Sequence, residues 1–305
     1  MATIQFGWSM SLGNSRIERA TFMEATRKGL DLIADQFDSV WLADHLQFGD
    51  RALLEGWTEL AYLAGIQPKL KYGHIVLCQL FRNPAQLAKM AATLQYMSQG
   101  NFILGLGAGW HQEECDAYGI PFPGPKQRVE ELEEALQIIK ALWKGEKATF
   151  TGKYHSIKDA YCRPKPEPEP PIMVAGFQPK MIRLCARYAD WWNGIGSDVE
   201  KQKELLSALD KACEEIGRDP VSLKRTLVLG EIYCAPTEKE VQELMRDREI
   251  RPGTLSGTPE QIGEQIQQLV DLGITYFMLG GGGFPNLNSL ETLARDVLPA
   301  FTGKK

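Results

Sequence analysis

Short apolar runs alternate along the chain with longer stretches in which apolar residues recur every three or four positions. The first kind predicts strands and the second amphipathic helices. Ile4–Trp8 opens the series as a strand, a helical stretch follows from Glu18 to Ala34, and Asp38–His45, "DSVWLADH", is a strand ending in polar residues. Trp57–Gly65 reads as helix, Tyr72–Gln79 ("YGHIVLCQ") as a buried strand, and Pro84 to Ser98 as a helix with proline in its first turn. Phe102–Leu106 is the next strand. The clearest helix is Arg128–Trp143, where Val129, Leu132, Leu136, Ile139 and Trp143 fall at helical spacing with the acids between them. Arg163–Pro171 is a stiff connector, because its prolines fix φ and remove donors. The alternation then resumes with strand Pro171–Gly176, helix Lys180–Ala189, strand Asp190–Ile195, helix Glu200–Ile216 and strand Arg225–Cys234. Helices Glu238–Glu249 and Pro259–Leu272, strand Thr275–Gly281 and a last helix over about Leu290–Ala300 end the series.

That makes about eight strands, mostly separated by helices. Their near-continuous apolar character suits parallel strands covered on both faces. An open doubly wound sheet and a closed (β/α)8 TIM barrel both fit; eight units in one α/β chain without a mid-chain break favour the barrel, as a single domain over residues 1–305. Site residues then belong at the C-terminal ends of the strands. Those ends are Trp8–Ser9, Asp44–His45, Leu77–Gln79, Gly107–His111, Ala175–Gln178, Asn193–Gly196, Glu231–Tyr233 and Leu279–Gly283.

With 44% hydrophobic and 24% charged residues, the composition is that of a globular chain. The net charge of −5 has both signs interspersed, which offers no footprint for nucleic acid. No apolar run reaches membrane-spanning length, and no signal-peptide pattern opens the chain. Six scattered cysteines without a C-x-x-C pair read as reduced thiols, so a cytoplasmic protein acting on a small molecule is expected.

"FILGLGAGWH", residues 102–111, runs from a strand into a glycine cluster. It is not a dinucleotide fingerprint, because Trp110 stands where G-x-G-x-x-G needs its third glycine. The glycines either let strand and helix pack closely or, at Gly107 and Gly109, let the backbone approach a flat ligand at the barrel mouth. Phosphate-loop, H-E-x-x-H and G-x-S-x-G patterns are all absent. His111, Glu113, Glu114 and Cys115 hint at a metal, but no third ligand on one helix face accompanies His111 and Glu114 or Cys115, so no metal is expected. His45 is the most informative residue, since it should emerge at the mouth beside Asp44 and an imidazole can donate to or accept from a developing charge. The bland alternative is a surface histidine bonded to Asp44. His74, inside an apolar strand, reads as a buried histidine or part of a strand bulge, and His155 as a surface one.

Three blocks carry a resemblance. "EGWTELAYLAG", the long segment from "FRNPAQLAKM" to "QIIKALW", and "PIMVAGFQPKMIRLCARYADWWN" resemble the bacterial luciferase-like superfamily, and within it the deazaflavin (coenzyme F420)-dependent oxidoreductases. The resemblance implies a (β/α)8 barrel, assembled as a homodimer or larger homo-oligomer, with an isoalloxazine-type ring at the C-terminal mouth. It implies that Asp44 and His45 are the acid and histidine near the reactive edge of the ring. It implies that the strand ending Leu77, Cys78, Gln79 carries a backbone bulge, often with a non-proline cis peptide, behind the ring. Gly107, Ala108, Gly109 and Trp110 match the loop passing the ring. Ala175, Gly176, Phe177 and Gln178 match a phosphate-binding turn, with Lys180 adding charge and Gly196 and Ser197 completing it.

The chain departs from the family pattern in several places. Leu77, Cys78 and Gln79 replace small hydroxyl and amide residues, and Pro179 withholds an amide from the phosphate turn. Trp110 replaces the glutamate of members that oxidise sugar phosphates, which suits an apolar or aromatic substrate. The implied activity is hydride transfer between the deazaflavin and an organic substrate. FMN with O2 chemistry, as in a luciferase-like monooxygenase, and a barrel that only binds its flavin-like ligand are the alternatives.

Overall fold

Parallel strands covered on both sides must be apolar on both faces. Phe102–Gly107 and Tyr276–Gly281 are buried at every position. In the computed structural model, which describes residues 3–10, 18–246, 248, 250 and 253–303, such strands close into a ring. They are β1 (Gln5–Ser9), β2 (Ser39–Leu42), β3 (Lys71–His74, resuming at Leu77–Cys78), β4 (Phe102–Gly107), β5 (Ile172–Ala175), β6 (Trp191–Ile195), β7 (Lys224–Cys234) and β8 (Tyr276–Gly281). β8 lies beside β1, with Tyr276 opposite Gln5, and β7 pairs with both β6 and β8, so the ring has no open edge. The fold is the (β/α)8 barrel that the alternation predicts.

Inside the barrel Trp41, Ile103, Met173, Tyr276 and Met278 pack together. Trp41 Nε1 and the Tyr276 hydroxyl both donate to Ser39 Oγ, each at 2.6 Å. At the N-terminal end the Lys224 ammonium lies over Trp191 and Tyr276, 4.4 and 4.5 Å from the ring centres, and bonds Gln5 Oε1 at 2.5 Å. Burial lowers Lys224 to about 8. Side chains therefore fill this end, and the C-terminal end is the one available for a site.

Several elements differ from the sequence expectation. β2 ends at Leu42, leaving Asp44 and His45 in the loop beyond it. Tyr72–Gln79 is not one strand, because it breaks at a cis peptide between Ile75 and Val76. The last helix is three pieces, Asn288–Thr292, a π turn at Leu293–Val297 and Pro299–Thr302, and Pro299 has no N–H to continue the ladder. The helix expected to reach Glu249 ends at Met245; positions 247 and 249 lie outside the described residues. The additions include an antiparallel hairpin, Ala148–Thr151 with Ser156–Ala160, the short helix Gln112–Ala117 and the short strand Leu255–Gly257 beside the end of β7. The hairpin is mostly exposed, so it lacks the apolar run that announces a strand. All six cysteines are free thiols, and among the described residues no helix is long and apolar enough to cross a membrane.

Candidate active site

The back wall of the mouth is made by β3 and β4. Gly105 and Gly107 face the same way along the strand, and Gly109, with φ +81°, follows just beyond its end. A Cβ at Gly105 would stand 2.0 Å from His74 O, one at Gly107 2.7 Å from Val76 Cγ2, and one at Gly109 2.8 Å from Cys78 Sγ. The partners share the spacing of two. The glycines thus make room for the interrupted part of β3 to lean over β4 on the side where a Cβ would stand. Ala108 packs against the core. Of the three β3 residues expected at the ring, Leu77 is fully buried, and Gln79 is buried with its amide donating to Glu131 Oε2 at 3.3 Å. Cys78 is half-buried, and burial pushes its thiol up to about 12, so it is a neutral wall rather than a nucleophile.

Asp44 does not emerge at the mouth as expected; it is 4% exposed. Its Oδ2 accepts from Cys78 N at 2.9 Å, and its two oxygens accept from Arg82 Nη1 and Nη2 at 2.7 and 2.9 Å. Arg82 also reaches Glu55 at 2.6 Å, and Glu55 caps the helix Gly56–Ile66 through Trp57 N and Thr58 N. A carboxylate held this way is an anchor, tying the end of β2 to the resumed β3 and to the next helix. Arg82 was not among the residues singled out from sequence. Behind this anchor, His74 Nε2 donates to Gly56 O at 3.1 Å and Trp57 stacks on the ring at 5.5 Å. Burial pushes His74 down to about 4, so it is neutral, as its apolar surroundings predict.

His45 lies at the mouth, its side chain 11% exposed. Its Nδ1 is 2.9 Å from Glu114 Oε1, and Glu114 Oε2 accepts from Leu46 N at 2.8 Å. The imidazole is ringed by Phe48, Trp110 and His111, with centroids 5.5, 5.6 and 5.8 Å away. Phe48 stacks on His111 at 4.9 Å, while Trp110 is 67% exposed. An imidazole oriented by a carboxylate and flanked by aromatic faces can move a proton beside an apolar substrate. Sequence reasoning placed His111 at a strand end, considered it and Glu114 together only as metal ligands, and paired neither with His45. Among the described residues no cluster of three or more His, Cys, Asp or Glu side chains could hold a metal ion.

The turn after β5 is the second part of the site. Ala175 ends β5, Gly176 O accepts from Trp192 Nε1 at 3.0 Å, and Phe177 is exposed. Gln178 opens the helix Pro179–Tyr188 without a side-chain cap, and no acid stands in its first turn. An anion could sit there on the amides of Lys180 and Met181. The Gly196–Ser197 side fits less well than expected. Gly196 N donates to Val228 O at 3.0 Å, and the next helix is already capped by Asp198, which accepts from Lys201 N at 3.0 Å.

Comparisons with known proteins agree with this architecture. The family model described as luciferase-like monooxygenase matches residues 36–254. The F420-dependent glucose-6-phosphate dehydrogenase of Kineococcus radiotolerans is 29% identical over 301 residues, covering 86% of this chain and 88% of that one. The F420-dependent hydroxymycolic acid dehydrogenase of Mycobacterium tuberculosis is 33% identical over 191 residues, covering 61% of this chain and 52% of that one. Among solved structures, an F420-dependent secondary alcohol dehydrogenase in complex with an F420-acetone adduct superposes with a TM-score of 0.84 at 22% identity, covering 97% of this chain and 98% of that one. An FMN complex of the oxygenating constituent of 3,6-diketocamphane monooxygenase from Pseudomonas putida superposes with a TM-score of 0.81 at 20% identity, covering 98% and 99%. With closed barrel, interrupted third strand and matched segment all in place, the chain belongs to the luciferase-like monooxygenase family.

Proposed function

We propose that this protein binds coenzyme F420 at the barrel mouth and catalyses hydride transfer between it and an organic alcohol or ketone with an apolar or aromatic body. The observation that carries the reading is the oriented imidazole of His45, set among Phe48, Trp110 and His111 at the C-terminal end of the barrel. The relatives matched over most of the chain, named as F420-dependent dehydrogenases, support the cofactor. The uncapped start of the helix Pro179–Tyr188 fits an anionic ribityl phosphate, with Lys180 alongside. The interrupted β3 and Cys78 would back the ring. When bound, the deazaflavin supplies hydride chemistry. The residues do the rest: the aromatic faces hold the substrate and exclude water, and His45 takes or gives the proton at the substrate oxygen. A homo-oligomer fits the exposed Tyr62, Ile66, Tyr96 and Met97 on the neighbouring helices Gly56–Ile66 and Pro84–Met97.

Titrating the apo-protein with F420 and with FMN separates the cofactors. Tight binding of F420 and bleaching of its absorbance by apolar secondary alcohols is the expected result, with a His45→Ala variant losing turnover. Strong FMN binding with none to F420 would overturn the cofactor assignment, and bound F420 without turnover across alcohols and ketones would leave only a binding protein.

A further inference from the structure

We infer that Glu114 is a positioning residue that fixes the proton of His45 on Nδ1, so that Nε2 is presented to the substrate as the proton acceptor. The inference deepens the reading of the mouth as a hydride-transfer site and rests on it for the role of Nε2, but the tautomer itself can be measured without cofactor or substrate.

Glu114 sits on the six-residue helix Gln112–Ala117, 69 residues from His45 in sequence. It is 2% exposed, and its two oxygens have separate duties. Oε2 accepts from Leu46 N at 2.8 Å, with Gln47 N at 3.5 Å, and Oε1 faces His45 Nδ1 at 2.9 Å. A carboxylate already accepting backbone N–H bonds is an acceptor in this network, so Nδ1 must be the donor. A neutral imidazole with its proton on Nδ1 has its lone pair on Nε2. Among the described residues no protein group bonds Nε2. The ring is also held sideways by Phe48, Trp110 and His111, and the Tyr118 hydroxyl donates to Leu46 O at 3.2 Å, pinning the loop that carries it.

The consequence for the reaction is specific. As an alcohol is oxidised, its O–H proton passes to Nε2, its C–H pair leaves as hydride to the deazaflavin, and the C=O bond forms. In the reverse direction the imidazolium returns the same proton to the carbonyl oxygen. A merely structural Glu114, stapling the loop through Leu46 N, would need only one oxygen and would leave the imidazole free to choose its tautomer.

Glu114→Gln separates the two roles. A neutral amide has one acceptor oxygen, but the site presents two donors. If that oxygen keeps Leu46 N–H, the amide NH2 faces Nδ1, and the ring must move its proton to Nε2 to accept it. The experiment is nitrogen-15 NMR of the histidine side chains in the full-length protein at neutral pH, with His45 assigned by loss of its signals in His45→Asn. Wild type is expected to show the Nδ1–H tautomer, and Glu114→Gln a mixed or inverted one. Turnover of the F420-loaded variant is expected to fall about ten- to a hundredfold in kcat with KM changed less than about threefold. Glu114→Asp, which keeps both oxygens, is expected to retain the wild-type tautomer and part of the activity. A wild-type His45 protonated on Nε2 would overturn the inference whatever the variants do. So would Glu114→Gln with an inverted tautomer and undiminished kcat. A protein that fails to bind F420 but shows the Nδ1–H tautomer would sink the proposed cofactor and leave the Glu114 assignment standing.

Discussion

Trp110 stands 5.6 Å from His45 with two thirds of its surface exposed, so it contributes little to folding and much to what can rest beside the imidazole. Trp110→Ala is expected to raise KM for aromatic alcohols about tenfold, the worth of one lost stacking face, while leaving the melting temperature within a degree or two. Steady-state kinetics with aromatic and aliphatic alcohols of equal size checks this; equal KM changes for both would remove stacking as the cause. His74 gives a prediction of a different kind. Its pKa in the folded protein is held near 4 by burial, below the ordinary value of about 6.5, so the unfolded chain binds the proton more readily. Its contribution to stability is therefore complete above about pH 6.5 and declines as pH falls toward 4, by up to about 3 kcal/mol. Urea unfolding across that window, compared with His74→Gln, should show the wild type losing stability more steeply.

At the level of elements, the mouth depends on two devices that hold β3. The first is the Asp44–Arg82–Glu55 network. Asp44→Ala leaves the Arg82 guanidinium, 11% exposed, with only Glu55, and should cost about 3–5 kcal/mol by chemical denaturation. The second is the glycine ladder. Gly105→Ala would force a methyl to 2.0 Å from a backbone oxygen, and neither strand can move without opening the barrel, so failure to fold or a loss of at least about 3 kcal/mol is expected. Gly263→Ala, inside the helix Pro259–Val270 and with no neighbouring atom within 4 Å of the added carbon, is the control and should be neutral or slightly stabilising. Much of this level was legible in sequence. Buried parallel strands are continuous apolar runs, and helix Pro125–Lys144 declares itself by spacing. The break in β3 was barely legible from its residues, since Ile-Val-Leu after His74 is as apolar and β-branched as an unbroken strand; the histidine inside the run allowed a bulge, and the family resemblance raised the cis peptide. The glycine cluster was visible, but its partners His74, Val76 and Cys78 lie some 30 residues earlier, and a single sequence does not say which distant residues fill the space beside a glycine. Glu114 was hidden for the same reason. Its one local sign was a place among exposed acids next to Cys115, which is fully buried.

For the whole molecule, the two ends of the barrel are built on different terms. The N-terminal end is filled by Lys224, Trp191, Tyr276 and Gln5, and the C-terminal end carries His45 and the helix start at Pro179. The exposed apolar residues Tyr62, Ile66, Tyr96 and Met97 lie on the flank. Light scattering is expected to give at least a dimer mass, and Tyr96→Glu combined with Met97→Glu to give a monomer; an unchanged mass would move the contact elsewhere. The wall behind the site follows from the same construction. Between His74 and Cys78 a carbonyl oxygen, the Val76 side chain and the Cys78 thiol are packed directly onto glycines, so neither side has room for a larger residue. Point mutation can hardly reshape such a surface, so descendants of this chain would keep it and acquire new substrates by rewriting the segments that carry Phe48, Trp110 and His111.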